Sequence, residues 1–208
     1  MERGGNELRL LGGRLSLDFC NSVDPRHGDQ PHEFLTCYAD LVRWAGDASV
    51  LSAREVKRLL ERARRHPAEA EAVFQAARDL RAQLFRIFST VAAGSTPAPD
   101  DLAALNRAHA EAMTHALLVR SGGAYEWDWD EQPGALERML WPIARDAADL
   151  LATARLERIR ECPGVDGCGW LFYDTSRNGK RRWCSMEACG NRSKGRRHYR
   201  RHHSSVST

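Results

Sequence analysis

Four of the six cysteines fall in the last quarter of this 208-residue chain, spaced Cys162-x5-Cys168-x15-Cys184-x4-Cys189. Two close pairs joined by a longer spacer are the pattern of a tetrathiolate metal site, because each pair supplies two soft ligands from one turn of chain. Disulfides are a poor explanation for such a cluster in a reducing compartment. A closed four-sulfur set suits one structural Zn²⁺ and leaves no open coordination position for catalysis. His198, His202 and His203 follow closely, but the quartet is already complete without them. The remaining two cysteines, Cys20 and Cys37, lie in apolar surroundings and are read as small buried hydrophobes.

Local sequence suggests how the cage is built. "CPGVDGC" is a turn that brings Cys162 and Cys168 together, with Gly164 and Gly167 letting the backbone curl around the metal. Asn178-Gly179 is a strong hairpin signal, predicting that apolar Trp170 to Tyr173 pairs with the basic stretch before Cys184. Ser185 is placed to cap a helix whose first turn carries Glu187 and Cys189. A turn, a hairpin and a helix around one ion make a treble-clef-like finger. It has too few residues for its own core, so metal binding is expected to supply much of its folding free energy.

Charge is segregated. From Arg177 onward there are ten Lys or Arg against one acid, Glu187, a net +9; the whole chain is +3, which leaves −6 for residues 1–176. An acidic body with a strongly basic end implies that the end meets a polyanion while the body does something else. Beyond Cys189, helical spacing puts Arg192, Arg196, Tyr199, Arg200 and His203 on one face, with Arg197 and Arg201 beside them. So basic a helix repels itself, and Gly195 weakens it further, so its end is expected to order on a phosphate backbone. The nucleic-acid contacts expected are Arg181, Arg182, Asn191, Arg192, Lys194, Arg196, Arg197, Arg200 and Arg201. Asn191 has two readings, a base-reading amide or a brace for the metal loop.

The first three quarters read as a helical body, with domains expected over 1–157 and 158–208. A helix after the Gly12-Gly13 turn carries Leu15, Phe19 and Val23. A second has Tyr38, Leu41, Val42 and Ala45 on one stripe and Gly46 as its stop. A capping box, Ser52 with Glu55, opens a third. Pro67 begins a long helix with a core stripe from Val73 through Ala77, Leu80, Leu84 and Ile87 to Val91. "DDLAALNRAHAEAM" gives another. Tyr125, Trp127 and Trp129 then alternate with acids after Gly122-Gly123, predicting a hairpin whose aromatic face is buried, the alternative being a ligand pocket. One helix from Pro133 to Arg160, bent at Pro142, is expected to run straight into the finger. The fold class expected is therefore mainly α with small β elements (α+β).

The finger "CGWLFYDTSRNGKRRWCSMEACGNRSKGRRHYRR" resembles the CGNR-type zinc finger, named for the residues at Cys189, Gly190, Asn191 and Arg192. Upstream, "GGRLSLDFCNSVDPR" with "DLVRWAG" resembles the ABATE domain that accompanies this finger. Cys20 and Ser22 stand where an apolar residue and Thr are expected, two mild departures. The resemblance implies a bacterial stress-induced transcription regulator, with a mainly helical amino-terminal domain and a finger that binds DNA.

The same residues are compatible with other classes. A finger of this kind also serves RNA or protein partners, and both nucleic acids present phosphates and grooves. The body offers scattered His27, His32, His109 and His115 but no nucleophile elbow, phosphate-cradling glycine loop or second metal motif, so no enzyme activity is expected. Asp18 and Asn21, three apart with Arg26 near, are either a ligand site or an internal hydrogen-bonded support. An unknown small-molecule effector and homodimerisation are the remaining partner expectations. With no secretion signal and no long apolar run, the expected location is the cytoplasm, without membrane contact.

Overall fold

The computed structural model describes residues 8–28, 30–130, 135–164 and 167–203, the last stretch without the side chains of 197, 198 and 200–203. It is mostly helical, with three separate antiparallel strand pairs. In chain order the helices are α1 (Leu15–Cys20), α2 (Tyr38–Asp47), α3 (Ala53–Arg65), α4 (Pro67–Ala92), α5 (Pro99–Thr114), α6 (Leu140–Thr153) and α7 (Asn191–His203). The strands are β1 (Val23–Asp24), β2 (His32–Glu33), β3 (Ala116–Ser121), β4 (Ala124–Trp129), β5 (Ile159–Glu161) and β6 (Leu171–Tyr173).

The short α1 lies at the centre of the core, packed by α4, α6 and β6, with Ser16 through Cys20 buried. A helix of this length cannot stand on propensity, so its stability comes from its surroundings. Asp146 of α6 accepts from the Ser16 backbone N–H and hydroxyl, at 2.8 and 2.6 Å, and from Arg14 Nε at 2.8 Å. This satisfies donors that a helix start leaves without intrahelical partners. The long α4 buries Ala77, Leu80, Leu84 and Ile87 as its spacing predicts, while the ends of the predicted stripe, Val73 and Val91, are half-buried and Phe74 and Phe88 take the buried positions beside them. The reciprocal Ser52–Glu55 capping box opens α3 as expected.

Several expectations need correction. α1 stops at Cys20, and Val23 pairs with Glu33 in a two-residue ladder instead of continuing the helix. Gly46 lies inside α2, where a Cβ would approach Val56 to 3.0 Å; its role is close helix approach, and the turn that follows has Ser49 at φ 59°. Cys37 is exposed, because it precedes α2 in extended backbone, while Cys20 is fully buried and its thiol is pushed up to about 12 by that burial. The expected helix from Pro133 to Arg160 begins only at Leu140 and ends at Thr153; Pro133 itself lies outside the described residues. Pro142 therefore occupies the first turn, where a missing N–H costs nothing, instead of the middle of a longer helix.

The hairpin β3–β4 forms in the expected register, with Gly122 and Gly123 at positive φ in its turn. Its aromatic face, however, is not buried: Tyr125 is 72% and Trp127 42% exposed. Only Trp129 turns inward, its ring 6.1 Å from that of Trp141. The alternation marks a two-faced ribbon that is only partly covered, with the Arg145 guanidinium 5.0 Å over the Trp127 ring and Tyr125 left open. Arg138 anchors its base, donating to the carbonyls of Trp129 and Asp130 and to Glu55 of α3.

Candidate metal centre and nucleic-acid interface

After α6 the chain makes one 3-10 turn, Leu156–Arg158, and enters β5, which pairs antiparallel with β6. The Cys162–Cys168 turn sits at the tip of this hairpin. The strand partner of Trp170–Tyr173 is thus the segment before the first cysteine, not the basic stretch before Cys184. Asn178-Gly179 still makes a turn, with Gly179 at φ 61°, but inside a loop. That loop is organised by Asp174, fully buried, which accepts from Ser176 N–H and hydroxyl and from Arg181 N–H. Burial pushes its carboxyl up, yet these hydrogen bonds more than offset it and hold the group below the usual carboxylate range. Three polar contacts satisfied by one carboxylate leave the loop no need of a ladder.

Ser185 caps the second half, accepting from Ala188 N–H at 3.3 Å. One π-turn, Met186–Gly190, carries Cys189 and leads directly into α7. Two ligands therefore come from a hairpin tip and two from the start of a helix.

The four Sγ atoms lie within 4.8 Å of one another and all four cysteines are buried. Cys168–Cys184 and Cys184–Cys189 are 3.7 and 3.6 Å apart. A tetrahedron of thiolates about 2.3 Å from Zn²⁺ has edges of about 3.8 Å, so this donor set fits that ion. Hydrogen bonding among the sulfurs pushes the Cys168 and Cys184 thiols up and holds Cys162 and Cys189 down. Four thiolates this close repel, and a divalent cation is what lets them ionise together. Arg192 Nη2 lies 3.7 Å from Cys189 Sγ and adds positive charge at the rim.

The cage is built into the body. Arg26 and His27 backbone N–H groups donate to the carbonyls of Cys168 and Gly167, both at 2.8 Å. Gly167 and Gly169 have φ of +71° and +63°, and Cβ atoms there would stand 2.7 Å from the His27 carbonyl carbon and 2.5 Å from its ring. Trp170 Nε1 donates to the Val23 carbonyl at 3.0 Å. Glu161, just before Cys162, meets His27 Nε2 and Ser89 Oγ of α4, each at 2.5 Å. Leu8 and Leu11 pack over the cysteine cluster. Ile159 and Leu171 belong to the same core as α1, α4 and α6.

The sequence candidates in the body are hydrogen-bonded within it. Asp18 accepts from Gly12 N–H at 2.7 Å, and burial pushes its carboxyl up to about 6. Asn21 is fully buried and hydrogen-bonds both backbone groups of Leu171. Arg26 donates to the Cys20 carbonyl and lies 4.0 Å over the Phe85 ring; burial lowers it to about 10, which leaves it charged at neutral pH. Asn21 thus holds β6, and the Arg26 backbone N–H holds the cysteine turn. Sequence reasoning missed Arg81, which is 5% exposed and joins Glu33 through both carboxylate oxygens and Ser22 at 2.7 Å. It also missed Asp174, whose partners Ser176 and Arg181 are close in sequence, and Glu161, whose partners His27 and Ser89 are too distant for spacing to reveal.

On the basic end, Asn191, Arg192, Lys194 and Arg196 are exposed along the first turns of α7. The side chains of Arg197, Arg200 and Arg201 lie outside the described residues. Arg182 is exposed, 4.8 Å over Trp183. Arg181 donates to the carbonyls of Trp183 and Cys184 and covers Phe172, which makes it a brace of the metal loop.

A helical body with a four-cysteine finger set into it defines the class: a zinc-finger protein whose finger shares the body's core. Residues 13–154 match the ABATE family model, described as "Putative stress-induced transcription regulator", and residues 158–202 match the CGNR zinc finger. The chain belongs to the ABATE family and carries a CGNR finger at its carboxy-terminal side. No curated protein matches it. None of the helices among the described residues is long and apolar enough to cross a membrane.

Proposed function

We propose that this protein is a transcription regulator that binds duplex DNA through α7 and the loop before it, with one structural Zn²⁺ held by Cys162, Cys168, Cys184 and Cys189. The observation that carries this reading is the join between Cys189 and α7: the last ligand lies in the turn from which the basic helix grows. Zinc thereby fixes the direction in which Arg192, Lys194 and Arg196 project, and Arg182 adds a contact from the loop. Phosphates would take most of these cations, while Asn191 and Arg192, at the start of the helix, are placed to reach base edges. The body carries no catalytic step in this account; it holds the finger and receives the regulatory signal.

If about four to six cations pair with phosphates, affinity falls by roughly two to three decades between about 50 and 200 mM salt. Fluorescence anisotropy of a labelled mixed-sequence duplex, with wild type and an Arg192/Lys194/Arg196 triple alanine variant, measures this. The variant is expected to bind more weakly and with a shallower salt slope. Equal, salt-insensitive affinity for both contradicts the proposal, and preferential competition by structured RNA reassigns the partner.

A further inference from the structure

A groove of about 330 Å³ runs between α4, α5 and the start of α6. It exists because the facing positions are small: Ala104 and Ala108 on α5 and Ala144 on α6 stand where larger side chains would interdigitate. Its floor is Leu80, Leu140 and Trp141. Trp141 is 3% exposed, its indole N–H has no hydrogen-bond partner, and its ring is held by His115 stacked at 3.9 Å. The volume is at the small end of the range typical of ligand sites, about 300 to 1,000 Å³.

The rim carries the discriminating chemistry. Asp79, Glu111 and Glu137 face one cation, Arg107. Glu111 meets His115 at 3.5 Å; Asp79 and Glu137 have no ion-pair partner among the described residues. An anion entering the groove would meet a net negative rim, whereas an ammonium would gain two carboxylates. An apolar floor with an acidic rim is complementary to a molecule with both features.

We propose that this groove binds a small amphipathic cation, an apolar or aromatic body carrying an amine. The inference rests on reading the body as the signal-receiving part of the regulator, and α4 gives that reading a physical path. The helix that walls the groove at Leu80 and Gln83 carries Phe85, under Arg26, and Ser89, bonded to Glu161, within two further turns.

Isothermal titration calorimetry of the full zinc-loaded chain with 2-phenylethylamine, 2-phenylethanol and phenylacetate tests the site, since the three share a body and differ in charge. The amine is expected to bind roughly tenfold more tightly than the other two and to change tryptophan fluorescence. An Asp79→Asn/Glu137→Gln double variant, altered only at the rim, is expected to lose that preference while keeping its zinc. Ala108→Leu, which fills the groove, is expected to abolish binding of all three. No binding of the amine, equal binding of all three probes, or an unchanged preference in the double variant overturns the site. Duplex affinity measured on the same samples reads the other proposal separately: no amine binding by the wild-type chain with intact duplex affinity sinks this inference alone.

Discussion

Asn21, which caps the end of α1, hydrogen-bonds both backbone groups of Leu171, its amide donating to the carbonyl and its oxygen accepting from the N–H, each at 2.8 Å. One side chain from the body thus stands in for a neighbouring strand on the edge of β6 away from β5. Both partners are fully buried. Asn21→Ala leaves a buried N–H and a buried C=O unsatisfied, at about 1 to 3 kcal/mol each. Denaturant unfolding should show a loss of about 3 kcal/mol, and zinc release to a chelator should be faster than in wild type.

The contact between Gly167 and His27 makes a sharper test of how the cage is seated. Ala at position 167 meets the His27 carbonyl carbon at 2.7 Å in a left-handed backbone that alone costs about 1 to 2 kcal/mol. Gly94, also at positive φ, has open space around the added Cβ. Gly167→Ala is expected to lower the melting temperature clearly more than Gly94→Ala, and to weaken zinc retention, which Gly94→Ala should leave intact.

Asp18 sets a pH dependence opposite to that of most carboxylates. Its folded value of about 6 lies above the ordinary 3.8, so between these values the native state holds more protons than the unfolded chain. Stability from this group is therefore present below about pH 4 and is lost as pH rises through 6, by up to about 3 kcal/mol. Asp18→Asn removes the titration. Unfolding free energy measured from pH 4.5 to 7.5 should fall less steeply, or rise more, in the variant than in wild type; identical profiles contradict the assignment.

Much of this was legible in the sequence where chemistry is local. The cysteine spacing, the Ser52–Glu55 capping box, the α4 stripe and the Ser185 cap each depend on residues within a few turns of one another, and each stands in the structure. What failed depended on distant partners. Asn178-Gly179, a strong local signal, points Trp170 to Tyr173 to the basic stretch as strand mate, but Asp174 satisfies that loop and β5 takes the ladder. The aromatic alternation of β4 was legible as a hairpin yet not as an exposed one, since period-two patterning reports two faces without saying what covers them. Asn21 and Leu171 are 150 residues apart, so nothing in either neighbourhood announces the bond.

The same seam predicts that metal loss reaches the body. Arg26 and His27 donate to carbonyls inside the cysteine turn, and Ile159 and Leu171 lie in the body's core. Chelation of the reduced protein is therefore expected to increase hydrogen exchange at residues 23–28 as well as in 159–190; protection at 23–28 that is indifferent to zinc contradicts the coupling.

The central claim is that a tetrathiolate cage shapes the basic helix for DNA. It is tested most directly by following the anisotropy of a labelled duplex bound to the reduced, zinc-loaded protein while a chelator withdraws the metal. The account predicts that bound DNA is released in step with the loss of one zinc per chain and returns when zinc is restored. Duplex binding of unchanged affinity and salt dependence in metal-free protein would contradict it.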